Sequence, residues 1–228
     1  MKLWKKIVLA IIALIIAATA FVTVWQWENI KALYLFATNT DEQIEKMAEE
    51  SHKTKEEVLS QYEGITVTDL TPEQENAIIS GEMTVEEVVK EIDKSDTAVN
   101  ESKPQKQETK PVDKKTEIVN KYLKQIYALK AEFLGKLANL KDEAQAEFYK
   151  FPLPERTKAN KTAVMTDKLI DCYELENQCD IKIEALLKEL KTELEKINAD
   201  TAIVAEIRKA YKEEKSVKKA YYIKLASD

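Results

Sequence analysis

Glycine, histidine and cysteine are nearly missing from this 228-residue chain, which holds three, one and two of them. The glycines, Gly64, Gly81 and Gly135, are too far apart to write a P-loop or a dinucleotide-binding fingerprint. The one histidine, His52, rules out a three-histidine metal site and leaves no second imidazole for acid–base work. Cys172 and Cys179 with one distant histidine cannot fill a tetrahedral zinc site within one chain. Only 5 prolines and 7% aromatic residues argue against a turn-dense all-β protein. No nucleophile–base–orienter set is legible, so no catalytic, cofactor or metal residues are expected and the chain is not read as an enzyme.

What is present starts with one apolar run. Residues 7–25 (IVLAIIALIIAATAFVTVW) carry no charge over 19 positions. As a helix the run is ~28 Å long, against a hydrocarbon core of ~30 Å. All three tryptophans flank it, Trp4 at one end and Trp25 and Trp27 at the other, where interfacial anchors belong. The expectation is a single-pass membrane helix inserted in the lipid bilayer. Lys2, Lys5 and Lys6 precede it and only Lys31 follows closely, so the N-terminus is expected in the cytoplasm and the rest outside. The alternative is a secreted helical binding protein, released by signal-peptide cleavage after Ala20, since Ala18-Thr19-Ala20 fits the small-x-small pattern. Against cleavage, the apolar run continues past Ala20 to the tryptophans.

Charge is uneven. Residues 28–95 hold 17 acids and 6 bases, net −11, whereas residues 116–228 are net +1. A basic nucleic-acid binder is therefore not expected. Within 28–93, four threonines stand three residues before Gln or Glu: Thr40/Gln43, Thr54/Glu57, Thr71/Gln74 and Thr84/Glu87. Each is a capping box, which predicts four short helices near 41–51, 55–62, 72–80 and 84–93. Pro72 suits the first turn of the third, and Gly81 its left-handed end. The surfaces of these helices are acidic rather than basic, which opposes a DNA-reading role. His52 is expected to be exposed at the end of the first.

Residues 94–115 have two prolines, no aromatics and almost no large apolar side chain, and read as a disordered linker. Beyond it the 3.6-residue period is clear. A first helix over 116–150 places Val119, Leu123, Ile126, Phe133, Leu137, Leu140, Ala144 and Phe148 on one stripe. A second, ending near 198, does so with Met165, Leu169, Cys172, Cys179, Ile183, Leu186, Leu190, Leu194 and Ile197. A third over 201–225 has Ile203, Ile207, Ala210, Val217, Tyr221 and Leu225. Short connections make such helices antiparallel neighbours.

The expected architecture is thus all-α: a membrane anchor (1–27, spanning at 7–25), an acidic short-helix module (28–93), a linker (94–115) and an elongated antiparallel three-helix bundle (116–228), with coiled-coil character. Cys172 and Cys179 lie seven apart on one helix, ~10.5 Å between Cα atoms, too far for a disulfide. Arg208, Lys212, Lys215 and Lys219 fall within an arc of about 60° on the last helix and form a candidate anion-binding strip. The expected role is binding or scaffolding outside the cytoplasm, with an unknown protein or an anionic surface polymer as partner.

Overall fold

The computed structural model describes residues 27–95 and 114–227, with side chains from 30–93 and 114–223. The expected membrane helix at 7–25, Trp4 and Trp25, and most of the 94–115 linker lie outside the described residues. No helix among the described residues is long and apolar enough to cross a membrane.

Seven α-helices and one 3₁₀ turn make up the described chain: α1 Trp27–Thr38, α2 Asp41–Ser60, α3 Pro72–Ser80, α4 Val85–Ser95, α5 Lys114–Tyr149, the turn Leu153–Glu155, α6 Lys158–Lys196 and α7 Ala202–Ser227. There are no strands among the described residues, and the all-α expectation holds. The chain divides into two compact units. The smaller takes Met1–Thr54 with Lys209–Asp228, and the larger is Lys55–Arg208. These units cut across the segments drawn from composition.

Three of the four capping boxes form. Thr40 and Gln43, Thr71 and Gln74, and Thr84 and Glu87 exchange side chain-to-backbone bonds of 2.8–3.3 Å. Pro72 opens α3, and Gly81 closes it at φ 79°. The box at Thr54 does not form. Its hydroxyl donates instead to the Glu50 carbonyl at 2.9 Å, one turn back. The two short helices expected at 41–51 and 55–62 are one helix, α2. Nothing between Ser51 and Lys55 breaks it, because no glycine or proline stands there, and Thr, Ser and His are tolerated inside helices.

The larger unit is built on α5 and α6. Three ion pairs join them: Lys121–Glu193 at 3.2 Å, Lys182–Glu132 at 3.3 Å and Lys168–Glu143 at 2.9 Å. As the α5 number rises the α6 number falls, so the two helices are antiparallel, as expected. Residues 150–157 turn the chain. Pro152 and Pro154 cannot continue a helix, and Arg156 donates to the Phe151 and Tyr149 carbonyls at 3.0 and 2.9 Å. Thr157 then caps α6 by accepting from the Asn160 N–H at 3.2 Å. At the far end Asn198 takes a left-handed φ of 55°. Asp200 accepts from the Ala202 N–H at 3.1 Å and starts α7.

One stripe does not describe α5. The expected Val119, Leu123, Ile126, Phe133 and Ala144 are buried, but so are Tyr122, Tyr127, Ala131, Leu134 and Ala138. The reason is packing on two sides: α6 on one, and α3 and α4 on the other. Gly135 marks a close approach. A Cβ built there would meet Val85 Cγ2 of α4 at 2.5 Å. On α6 the buried set is Val164, Ile183, Leu187, Leu190 and Leu194. Leu187 is fully buried where Leu186 was expected to lead, and Leu169 is exposed.

In the smaller unit the buried positions are Ala32, Ile44, Ala48 and His52 from the N-terminal part, and Glu214, Ser216, Val217 and Ala220 from α7.

Candidate functional site

The most built polar site in the larger unit forms where an extended stretch meets α5. After α2 the chain turns through Gly64, at φ 85°, and runs without regular structure over 65–71. Only glycine fits there. Besides the left-handed backbone, a Cβ would stand 2.9 Å from Thr116 Cγ2. Asn120 then clamps the stretch with both ends of its amide. It donates to the Gly64 carbonyl at 3.0 Å and accepts from the Thr66 N–H at 3.2 Å.

Ten residues further along α5, charge replaces amide. The Asp69 carboxylate is 1% accessible. It takes an ion pair from Lys55 and another from Lys130 at 3.0 Å, and accepts from the Leu70 N–H at 2.8 Å. Lys130 also reaches the buried Glu75 at 2.5 Å, and Lys55 sits 5.6 Å from the Tyr127 ring centre. Lys141 donates to the Ile79 carbonyl at 2.6 Å. Asn120, Lys130 and Lys141 therefore fasten successive points of the 64–79 stretch along α5. Three buried ionic side chains, Lys55, Asp69 and Glu75, with the half-buried Lys130 in contact with two of them, are costly to desolvate. What they supply is a fixed register between the extended stretch and the helix.

Beside Gly64 lies a cleft of about 180 Å³, lined by Tyr62, Glu63, Ile65, Lys115, Thr116, Val119 and Ile203. Lys115 stands 5.7 Å from the Tyr62 ring centre and 4.0 Å from the Asp200 carboxylate. Burial pushes the Tyr62 hydroxyl pKa up, and the negative charges of Glu206 and Asp200 add to it. Lys115 is the cation of the cleft that faces the Asp200 carboxylate.

No family model, curated protein or solved structure matches this sequence. The site's meaning rests on its own chemistry.

The expected basic strip lies on α7, where the two units divide it. Arg208 belongs to the larger unit. It holds Glu184 through two nitrogens at 2.8 and 2.9 Å, which raises its pKa further. Its charge is thus committed to a carboxylate of the same unit. Lys212, Lys215 and Lys219 belong to the smaller unit. Lys212 is exposed, and Lys215 lies 5.8 Å from the Tyr211 ring. The backbone of Trp27 opens α1. Cys172 and Cys179 are not joined in a disulfide and are half-buried.

His52 departs most from expectation. It is buried, 7% exposed, in the middle of α2. The exposed helix end it was assigned to does not exist, because α2 runs on to Ser60. In the same unit Glu214 is also buried, and a carboxylate oxygen of Glu214 lies within 4.8 Å of a ring nitrogen of His52. Two ligand atoms are half of a tetrahedral metal shell. Nothing in the spacing of 52 and 214 flags this pair, since it depends on tertiary structure alone. The Asp69–Lys130 cluster was hidden for the same reason. Its one local sign is acid at 69 and 75 beside apolar Leu70 and Ile78.

Proposed function

We propose that this chain is a single-pass membrane-anchored protein that holds a helical interaction domain outside the cytoplasm, in a binding or scaffolding role. The observation that carries the reading is the uncharged 19-residue run at 7–25, bounded by Lys2, Lys5 and Lys6 on one side and by Trp25 and Trp27 on the other. The finer architecture belongs to the same proposal: an anchor, an acidic short-helix region, a tether at 94–115 and an elongated three-helix bundle of coiled-coil character. The partner is an unidentified protein or an anionic surface polymer, met in part by Lys212, Lys215 and Lys219.

Two features support a binding role. The long helices carry large apolar side chains on their surface, among them Ile170 and Ile181 at 71% and 63% exposure. The built polar site fixes backbone register and leaves its lysines committed to acids, an arrangement suited to a rigid scaffold.

The test is fractionation of cells that make the full chain. The reading expects recovery with membranes after alkaline extraction, an intact Met1, and removal of residues beyond about 30 by protease added outside intact cells. A mature N-terminus at Phe21 in the supernatant would replace it with the secreted alternative, which Ala18-Thr19-Ala20 favours. A fully protected C-terminus in sealed cells would reverse the orientation.

A further inference from the structure

Helix α1 is amphipathic in an unusual sense, with an apolar face on its exposed side. Ile30, Leu33 and Tyr34 are 42%, 51% and 65% exposed, and Ala37 is exposed with them. Their spacing, i, i+3, i+4 and i+7, places all four on one face of a helix. The other side is the packed one. Ala32 is fully buried, and Leu35 and Phe36 are half-buried. The only charged residues of the helix, Glu28 and Lys31, fall outside the exposed arc by helical position.

At 12 residues α1 is ~18 Å long, too short to cross the ~30 Å core. It is long enough to lie at the boundary between headgroups and acyl chains, where an uncharged face with a tyrosine is at home. Its place in the chain decides what covers it. The 19-residue uncharged run ends at position 25, two residues before α1 begins. A chain leaving the membrane there has α1 as its first turns at the interface.

We infer that the Ile30–Leu33–Tyr34–Ala37 face of α1 is a lipid-contact surface seated in the outer interface of the membrane, where it fixes how the smaller unit stands on the bilayer. This rests on the anchor reading above, and the test separates the two. In full-length chain with Cys172→Ala and Cys179→Ala, a nitroxide is placed singly by Ile30→Cys, Leu33→Cys or Tyr34→Cys. Ile15→Cys serves as the membrane reference and Glu56→Cys as the water reference. Helical content is checked by circular dichroism for each. The proteins are reconstituted in phosphatidylcholine–phosphatidylglycerol vesicles, and collision rates with oxygen and with a water-soluble nickel chelate are measured.

The inference expects positions 15, 30, 33 and 34 all to show an oxygen-to-nickel ratio several-fold above that of position 56. If position 15 is lipid-exposed while 30, 33 and 34 match position 56, the lipid-contact surface is wrong and the anchor stands. If position 15 also matches position 56, both fail. If 30, 33 and 34 are shielded from both reagents, with spin–spin broadening that disappears on dilution with unlabelled chain, a second copy covers the face and the lipid assignment is overturned.

Discussion

The two halves of α6 look alike in sequence and differ in structure. From 183 to 194 the helix buries Ile183, Leu187, Leu190 and Leu194, each at most 1% exposed. From 165 to 182 it buries nothing completely. Met165, Cys172, Leu175 and Cys179 are half-buried, and Leu169, Ile170, Tyr173 and Ile181 are exposed. The apolar period runs through both halves. What differs within the larger unit is the number of neighbours. The 183–194 half is the one tied to α5 by Lys121–Glu193 and to the start of α7 by Arg208–Glu184, next in sequence to buried Tyr122 and Leu123 and to buried Ile207. An apolar stripe becomes a core only where side chains close over it from more than one direction.

The largest effect expected from this contrast comes from the buried ion cluster beside the packed half. Asp69→Ala leaves the buried Lys55 without one of its partners. Removing one member of a buried pair typically costs about 3–5 kcal/mol. Urea unfolding followed by circular dichroism reads it directly. A loss under about 1 kcal/mol would mean that water reaches the cluster and that it fixes no register.

Next in size is the pair Leu190→Ala and Leu169→Ala. A leucine with no accessible surface should cost about 2–5 kcal/mol when truncated. Leu169, 45% exposed, should cost under about 1 kcal/mol, as surface changes usually do. Equal losses would erase the distinction between the two halves.

This contrast also marks how far the sequence could be read. Helix ends were legible where chemistry is local: Pro72 and Gly81 around α3, the prolines at 152 and 154, and Asp200 before α7. The antiparallel α5–α6 pair followed from the short connection. Burial was legible only as a stripe, because the 3.6-residue period says which face is apolar and not how many partners it has. Tyr122, Tyr127 and Leu134 were missed since α5 has two packed faces. Thr54 was misread since its capping box is real as spelling, while an uninterrupted helix offers its hydroxyl a carbonyl one turn back. Of the candidate site, His52 with Glu214 and Asp69 with Lys55 and Lys130 join residues distant in the chain, and no local spacing announces them.

A third test uses pH at the same packed end. Tyr122 is 2% exposed, and its hydroxyl pKa is pushed up to about 12. Burial is the first cause, and its hydrogen bond and proximity to Glu193, with Glu189 nearby, add to it. The unfolded chain loses this proton near pH 10 and the folded chain only near 12. The unfolded state therefore binds fewer protons between those values, and stability falls as pH rises through that window. Below pH 10 the contribution is fully present. At about 1.4 kcal/mol per unit, the loss is on the order of 2–3 kcal/mol. The measurement is unfolding at pH 9 and 11.5 for the natural chain and Tyr122→Phe. The natural chain should lose more than the variant, since lysine titration is common to both. Equal losses would remove Tyr122 from the account.

The smallest effect tests the other end of the hairpin. Lys168 pairs with Glu143 at 2.9 Å, and the hydrogen bond from Lys168 raises its pKa. The Glu143 side chain is 60% exposed, so water and salt screen the pair. Lys121 and Glu193 form the corresponding rung at the packed end, where Lys121 holds the Glu193 carboxyl below its ordinary range and Tyr122 assists. The two rungs have similar lengths but different surroundings. Lys168→Gln should change stability only slightly, and the change should vanish in 1 M salt. Lys121→Gln removes a bond from a carboxylate that also serves the buried Tyr122, so part of its effect should persist in salt. On acidification the Lys121–Glu193 rung weakens, because a carboxyl with a lowered pKa contributes above the unfolded value and is lost as pH falls through the folded one. The two substitutions, measured at low and high salt, decide whether the contrast between the halves extends from apolar burial to charge. The same salt response at both ends would confine it to the apolar core.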